Sequence, residues 1–115
     1  PIGIDLERFG HRMKRVRDIF LSPDERTWQA DDDERLTYAH TCWAAKEALY
    51  KIIGNDVYDF PNAIHIEPSD DLLAGKRSGN ISADAVGHTW RLHYWTTDDY
   101  VLVTTNNYPL HNTSA

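Results

Sequence analysis

The stretch Trp43-Ala44-Ala45-Lys46-Glu47-Ala48-Leu49-Tyr50-Lys51 restricts the fold more than any other part of the chain. Ala44, Ala45, Ala48 and Leu49 are strong helix formers, no β-branched residue interrupts them, and Gly54 stands where a left-handed residue commonly ends a helix. The pattern predicts a helix from about Glu34 to Ile53, with the acidic run Asp31-Asp32-Asp33-Glu34 at the positive end of its dipole. Leu36, Trp43 and Tyr50, spaced by seven, are the expected core stripe. Helix neighbours lie three and four apart, so Trp43, Glu47, Tyr50 and Lys51 share a side, with His40 one turn further back. Glu47 and Lys51 can serve there as a supporting ion pair or as part of a site.

Before that helix, Pro1-Ile2-Gly3-Ile4-Asp5-Leu6-Glu7 alternates strictly, which predicts a half-buried strand with Ile2, Ile4 and Leu6 on one face and Gly3, Asp5 and Glu7 on the other. Two carboxylates on one strand face can converge on a cation, and a glycine beside them lets a ligand approach the backbone. An edge strand with an acidic solvent face is the plainer alternative. From Arg8 the period changes: Phe9, Met13, Val16 and Phe20 describe an amphipathic helix ending near Leu21, with Arg8, Arg12 and Arg15 on another side. Ser22-Pro23-Asp24-Glu25 is a helix start signal, with a capping Ser, a Pro at the first position and a Glu three after the cap. It predicts a short helix through about Gln29.

After Gly54 the chain turns to strands. Asn55-Asp56 and Phe60-Pro61-Asn62 read as breaks, residues 63–67 as a short strand, and 68–71 and 75–80 as loops. Strands at about 80–85, 88–96 and 100–105, joined at Val86-Gly87 and Thr97-Asp98-Asp99, form an antiparallel meander. Within it Trp90, Leu92 and Tyr94 share one face, and residues 106–115 are expected to fray.

At 115 residues and 41% hydrophobic content the chain suits a single domain, 1–115, with one core. A net charge of −6 argues against a nucleic-acid partner, although Arg8, Arg12, Lys14, Arg15 and Arg17 concentrate positive charge in ten positions. No apolar run is long enough to span a membrane. The lone Cys42 fits a small core side chain in a reducing, cytoplasmic setting. The start at Pro1, without Met or an apolar leader, reads as a cut or processed chain. His40, His65, His88, His93 and His111 lack compact ligand spacing on one element, so zinc is not expected.

Asp5 and Glu7 on the first strand, with Glu47 between Lys46 and Lys51 about forty residues later, form the one constellation that joins separate elements. Three carboxylates suit a hard cation, and Mg²⁺ keeps positions open for phosphate oxygens, so a metal-phosphate substrate is the expected ligand.

Ile2-Gly3-Ile4-Asp5-Leu6-Glu7 followed by Trp43-Ala44-Ala45-Lys46-Glu47-Ala48-Leu49-Tyr50-Lys51 resembles the paired signature of the 4'-phosphopantetheinyl transferases, Gly-x-Asp and then Trp/Phe-x-x-Lys-Glu-x-x-x-Lys. Phe20-Leu21-Ser22-Pro23-Asp24-Glu25 resembles the segment between the two. The resemblance is strong over the first half and rests only on strand pattern beyond it. It implies an α+β fold, an antiparallel sheet packed against a long central helix. It implies transfer of the phosphopantetheine arm of coenzyme A to a serine of an acyl or peptidyl carrier protein, with release of 3',5'-ADP. Asp5, Glu7 and Glu47 would hold Mg²⁺, Lys46 and Lys51 would contact the phosphates of coenzyme A, and Glu47 and Lys51 would serve catalysis. The acid two places after Asp5 resembles the family's two-half type, whose site lies between similar halves. On that reading residues 1–115 are the C-terminal half of a longer chain, and the partner is a second similar half or another copy. A catalytically silent domain that keeps the fold and binds coenzyme A is the alternative; binding without transfer would mark it.

Overall fold

Two short turns order the sheet. Val86 and Gly87 both take positive φ, at 47° and 77°, the backbone of a two-residue hairpin that reverses a strand on itself. Thr97 closes the next reversal, its side-chain oxygen accepting from the N–H groups of Asp99 and Tyr100. The computed structural model describes residues 2–27, 35–54 and 63–105. The chain runs β1 (Ile4–Arg8), α1 (Arg12–Phe20), α2 (Pro23–Arg26), α3 (Thr37–Ile53), β2 (Ile64–Glu67), α4 (Asp70–Leu73), β3 (Ser78–Ala85), β4 (His88–Thr96) and β5 (Tyr100–Thr105). The five strands form one sheet in the order β1-β5-β4-β3-β2, with every neighbouring pair antiparallel. The expected meander is present and the fold is α+β, with α3 packed on β1 and β5.

The first strand closes the sheet by pairing with the last, in the register Ile4 to Thr104 and Leu6 to Leu102. Its polarity differs from that of an ordinary half-buried strand. Ile2, Ile4 and Leu6 are 59%, 52% and 58% exposed, while Gly3 and Asp5 are buried. The acidic face therefore looks inward at α3, and Gly3 explains how close the two elements come. A Cβ added there would lie 1.9 Å from the carbonyl oxygen of Ala48. The expectation that Gly3 admits a ligand is thus corrected: the space is filled by the helix backbone. Gly3 is held in place by Thr105, whose Oγ1 accepts from the Gly3 N–H at 2.8 Å.

The same closeness revises the core stripe of α3. Leu36 and Trp43 are only partly buried and Tyr50 is 40% exposed, whereas Ala39, Cys42, Ala44, Ala45, Ala48 and Leu49 are fully buried. Small side chains let the helix lie directly on the sheet, and the bulky aromatics are displaced to its flanks. The helix opens at Leu36, which takes a left-handed conformation (φ 57°, ψ 46°). The expected start at Glu34 and the acidic run before it lie outside the described residues.

Elsewhere the boundaries shift for local reasons. Helix α1 starts at Arg12 rather than Arg8, because the Phe9 N–H donates to the Asp99 carbonyl and holds the chain to the β4–β5 turn. Met13 and Phe20 are buried, and Val16 and Phe9 pack beside them. Helix α2 has the full capping box, and its expected extension to Gln29 falls outside the described residues. Ser69 caps α4, a single turn that begins in the expected 68–71 loop and runs past it, and β3 starts at Ser78, inside the stretch 75–80 expected to be loop. The predicted breaks at 55–56 and 60–62 and the frayed end at 106–115 also lie outside the described residues.

Candidate functional site

The inward face of β1 and the facing side of α3 bring together three of the acids singled out in the sequence. Asp5 is 8% exposed, while Glu7 and Glu47 are half-buried. The indole N–H of Trp43 donates to Glu7 Oε1 at 2.9 Å, fixing Glu7 to the helix one turn before Glu47. Lys51, one turn after Glu47, sends its ammonium to Asp5 Oδ1 at 3.0 Å and to the Ile4 carbonyl at 2.6 Å. Its side chain is half exposed, so the cation reaches the edge of the site. Asp5 Oδ2 has no hydrogen-bond partner although it is buried.

The carboxylates repel one another. Partial burial first, then the adjacent Asp5 carboxyl and the charge of Glu47, push the Glu7 carboxyl up to about 7, against the pull of the Trp43 N–H. Glu47 is also raised, by burial and by Asp5, and Lys51 only partly offsets this. Such crowding is the situation in which a bound cation lowers the energy most. The donors are hard carboxylate oxygens of the type Mg²⁺ takes, and Asp5 Oδ2 offers its lone pairs to nothing in the described protein. The set therefore fits a hard cation in kind. It is not drawn into a ligand sphere: no group of three or more His, Cys, Asp or Glu among the described residues stands close enough to hold a metal.

Lys46 is elsewhere. It points toward α1 and α2 with no exposure, its ammonium 2.7 Å from Glu25 Oε1 and 2.6 Å from the Phe20 carbonyl. The structure thus separates Lys46 from Asp5, Glu7 and Glu47, and leaves Lys51 as the signature lysine beside them.

Against this geometry, the family model of the 4'-phosphopantetheinyl transferase superfamily matches residues 1–105. The chain belongs to that superfamily. Membership supports transferase chemistry of the phosphopantetheinyl kind in general. No curated protein matches the chain. The superfamily's paired signature thus has a spatial counterpart in the meeting of β1 with α3.

Three features of the site were not read from the sequence. Glu25 was read as a helix cap and as part of the segment between the two motifs, with no contact to α3 expected, yet it is fully buried and touches three elements. A groove of about 390 Å³ opens beside Glu7, walled by Arg8, Arg12, Met13, Val16, Ile19, Phe20 and Trp43. On the other side of α1, a second hollow of about 560 Å³ is lined by Phe9, His11, Lys14, Arg17 and Arg35, with the Arg35 guanidinium 5.2 Å from the centre of the Phe9 ring. The apolar spacing of α1 was the available signal for the first. The second needs the α3 start brought beside α1, which spacing does not reveal.

Proposed function

We propose that this chain supplies the metal and pyrophosphate end of a 4'-phosphopantetheinyl transferase site, acting on coenzyme A and on a serine of an acyl or peptidyl carrier protein. The observation that carries the reading is Asp5 Oδ2, buried and without a hydrogen-bond partner, beside Glu7 and Glu47, whose carboxyls are raised by burial first and by Asp5 next. Asp5, Glu7 and Glu47 would hold Mg²⁺, which when bound neutralises charge on the pyrophosphate. Lys51 reaches the same space from the exposed edge and offsets the remaining phosphate charge. Glu47, directly or through water, would take the proton of the serine hydroxyl as the new oxygen–phosphorus bond forms and the bond to the departing 3',5'-ADP breaks. Phosphoryl transfer draws most of its catalysis from such alignment and charge neutralisation.

The carrier is placed at α1. Arg8 and Arg12 rim the apolar groove beside Glu7, so an acidic partner is steered to the mouth of the site. The second half, or another copy, is placed at the outer face of the sheet. Leu6, Leu102 and Trp95 lie in one cross-strand row there, flanked by exposed Ile4 and Tyr100. Trp43 is engaged inside the chain by Glu7 and by an edge contact with Phe20. A cytoplasmic location accords with the reading, and no helix among the described residues is long and apolar enough to cross a membrane.

Calorimetric titration with coenzyme A, with and without Mg²⁺, tests the reading. The binding heat should depend on Mg²⁺ and mostly disappear in Glu47→Gln. Unchanged Mg²⁺-dependent binding in that variant would rule out the ligand role of Glu47, and binding without any transfer would favour the silent domain.

A further inference from the structure

The Glu25–Lys46 pair is a buried group that the chemistry above does not use. Both side chains have no solvent exposure, and the ammonium and carboxylate are 2.7 Å apart. Glu25 also accepts from the Ser22 N–H at 2.8 Å through Oε1 and from the Ile66 N–H at 2.6 Å through Oε2. Lys46 donates to the Phe20 carbonyl at 2.6 Å. One ion pair therefore ties the end of α1, the start of α2, the edge strand β2 and the middle of α3. A buried pair of this kind contributes little net stability relative to apolar replacements, yet removing one partner leaves an uncompensated buried charge.

Lys46 is the residue immediately before Glu47, so anything that fixes its direction also fixes the rotation of α3 about its axis. With Lys46 anchored on the α1–α2 side, Glu47 is turned about a quarter of a circle away, toward β1 and Asp5. We propose that Glu25 and Lys46 are positioning residues which set Glu47 against Asp5 and Glu7, and that Lys46 does not contact phosphate. The inference rests on the transferase reading for its kinetic consequence only; the geometric claim stands apart from it.

The test uses Glu25→Gln, Lys46→Met and the double variant in the assembled enzyme, all measured well below their melting temperatures. Positioning predicts that each single change lowers kcat by about 10–100-fold, the range typical of residues that orient a ligand from behind. Because Glu47 is also proposed to hold the Mg²⁺ on which coenzyme A binding depends, KM for coenzyme A should rise together with the fall in kcat and recover in part at raised Mg²⁺. The double variant, which removes both charges, should recover part of the loss. Amide exchange read by mass spectrometry supplies a measurement independent of activity: residues around Glu47 should exchange faster in the single variants while β3 and β4 are unchanged. A raised KM for coenzyme A in Lys46→Met with kcat intact would overturn the proposal in favour of phosphate contact. Exchange around Glu47 that is unaltered in folded single variants would overturn it too. If the unaltered enzyme transfers nothing, the transferase reading fails while the exchange result still decides the proposal.

Discussion

Replacing Gly3 with Ala should damage the molecule far more than the single added methyl suggests. The new Cβ would stand 1.9 Å from the Ala48 carbonyl oxygen and 2.8 Å from its carbonyl carbon, where real contacts essentially never fall below 3.0 Å. Neither neighbour is the end of a flexible side chain, so β1 and α3 must separate by about 1.1 Å to relieve the closer contact. Overpacking a well-filled interior costs about 1–3 kcal/mol, and a clash with backbone belongs at the upper end. At about 3 kcal/mol the melting temperature should fall by more than about 10 °C for a domain of this size. The separation acts at the site, because it draws Asp5 and Glu7 on β1 away from Glu47 on α3. Thermal unfolding followed by circular dichroism measures the first effect, and Mg²⁺ titration of the folded variant measures the second. Gly10→Ala is the matched control, since an added Cβ there meets nothing within 4 Å. A Gly3→Ala protein that melts within a degree or two of the control would refute the close contact and the argument built on it.

Other changes separate charge from packing. The Glu7 carboxyl is raised to about 7, above its ordinary value of 4.5, so the metal-free folded state binds more protons than the unfolded chain across that window. Stability should therefore fall as pH rises from about 4.5 to 7, and denaturant titrations should show this slope flattening in Glu7→Gln. Lys51→Met should cost about 1–3 kcal/mol of stability, because it takes the hydrogen-bonding cation from the buried Asp5 carboxyl, while coenzyme A affinity drops clearly in calorimetry. Reversing Arg12 and Arg15 to Glu should slow association with an acidic carrier in a salt-dependent way and leave coenzyme A affinity unchanged. Equal loss of both would indicate a direct coenzyme role or misfolding.

How far the sequence foretold this architecture depended on whether the relevant signal was local. The helical run of α3 (though not its expected core stripe), the Ser22 capping box and the alternation of Trp90, Leu92 and Tyr94 each lie within a few residues, and these reappear in the structure. The alternation of β1 was equally clear, but a period of two identifies two faces without saying which one is inward. Ordinary burial would have chosen Ile2, Ile4 and Leu6. The strand instead turns its acids to α3 and leaves its apolar side open, a conflict of levels typical of functional sites. Glu25 and Lys46 stand 21 positions apart on different helices, and nothing in either local pattern joins them. Lys46 and Lys51 look alike in the signature, yet the helix sends one into the interior and the other to the edge of the acid cluster.

The most direct test of the account is transfer itself. The assembled protein would be incubated with coenzyme A, Mg²⁺ and an unmodified carrier protein, and the carrier's intact mass followed over time. The account predicts a mass gain of one phosphopantetheine on the carrier serine, dependent on Mg²⁺ and lost in Asp5→Asn and Glu47→Gln. A carrier that stays unmodified although the protein binds coenzyme A, or one that is modified equally well by both variants, would contradict it.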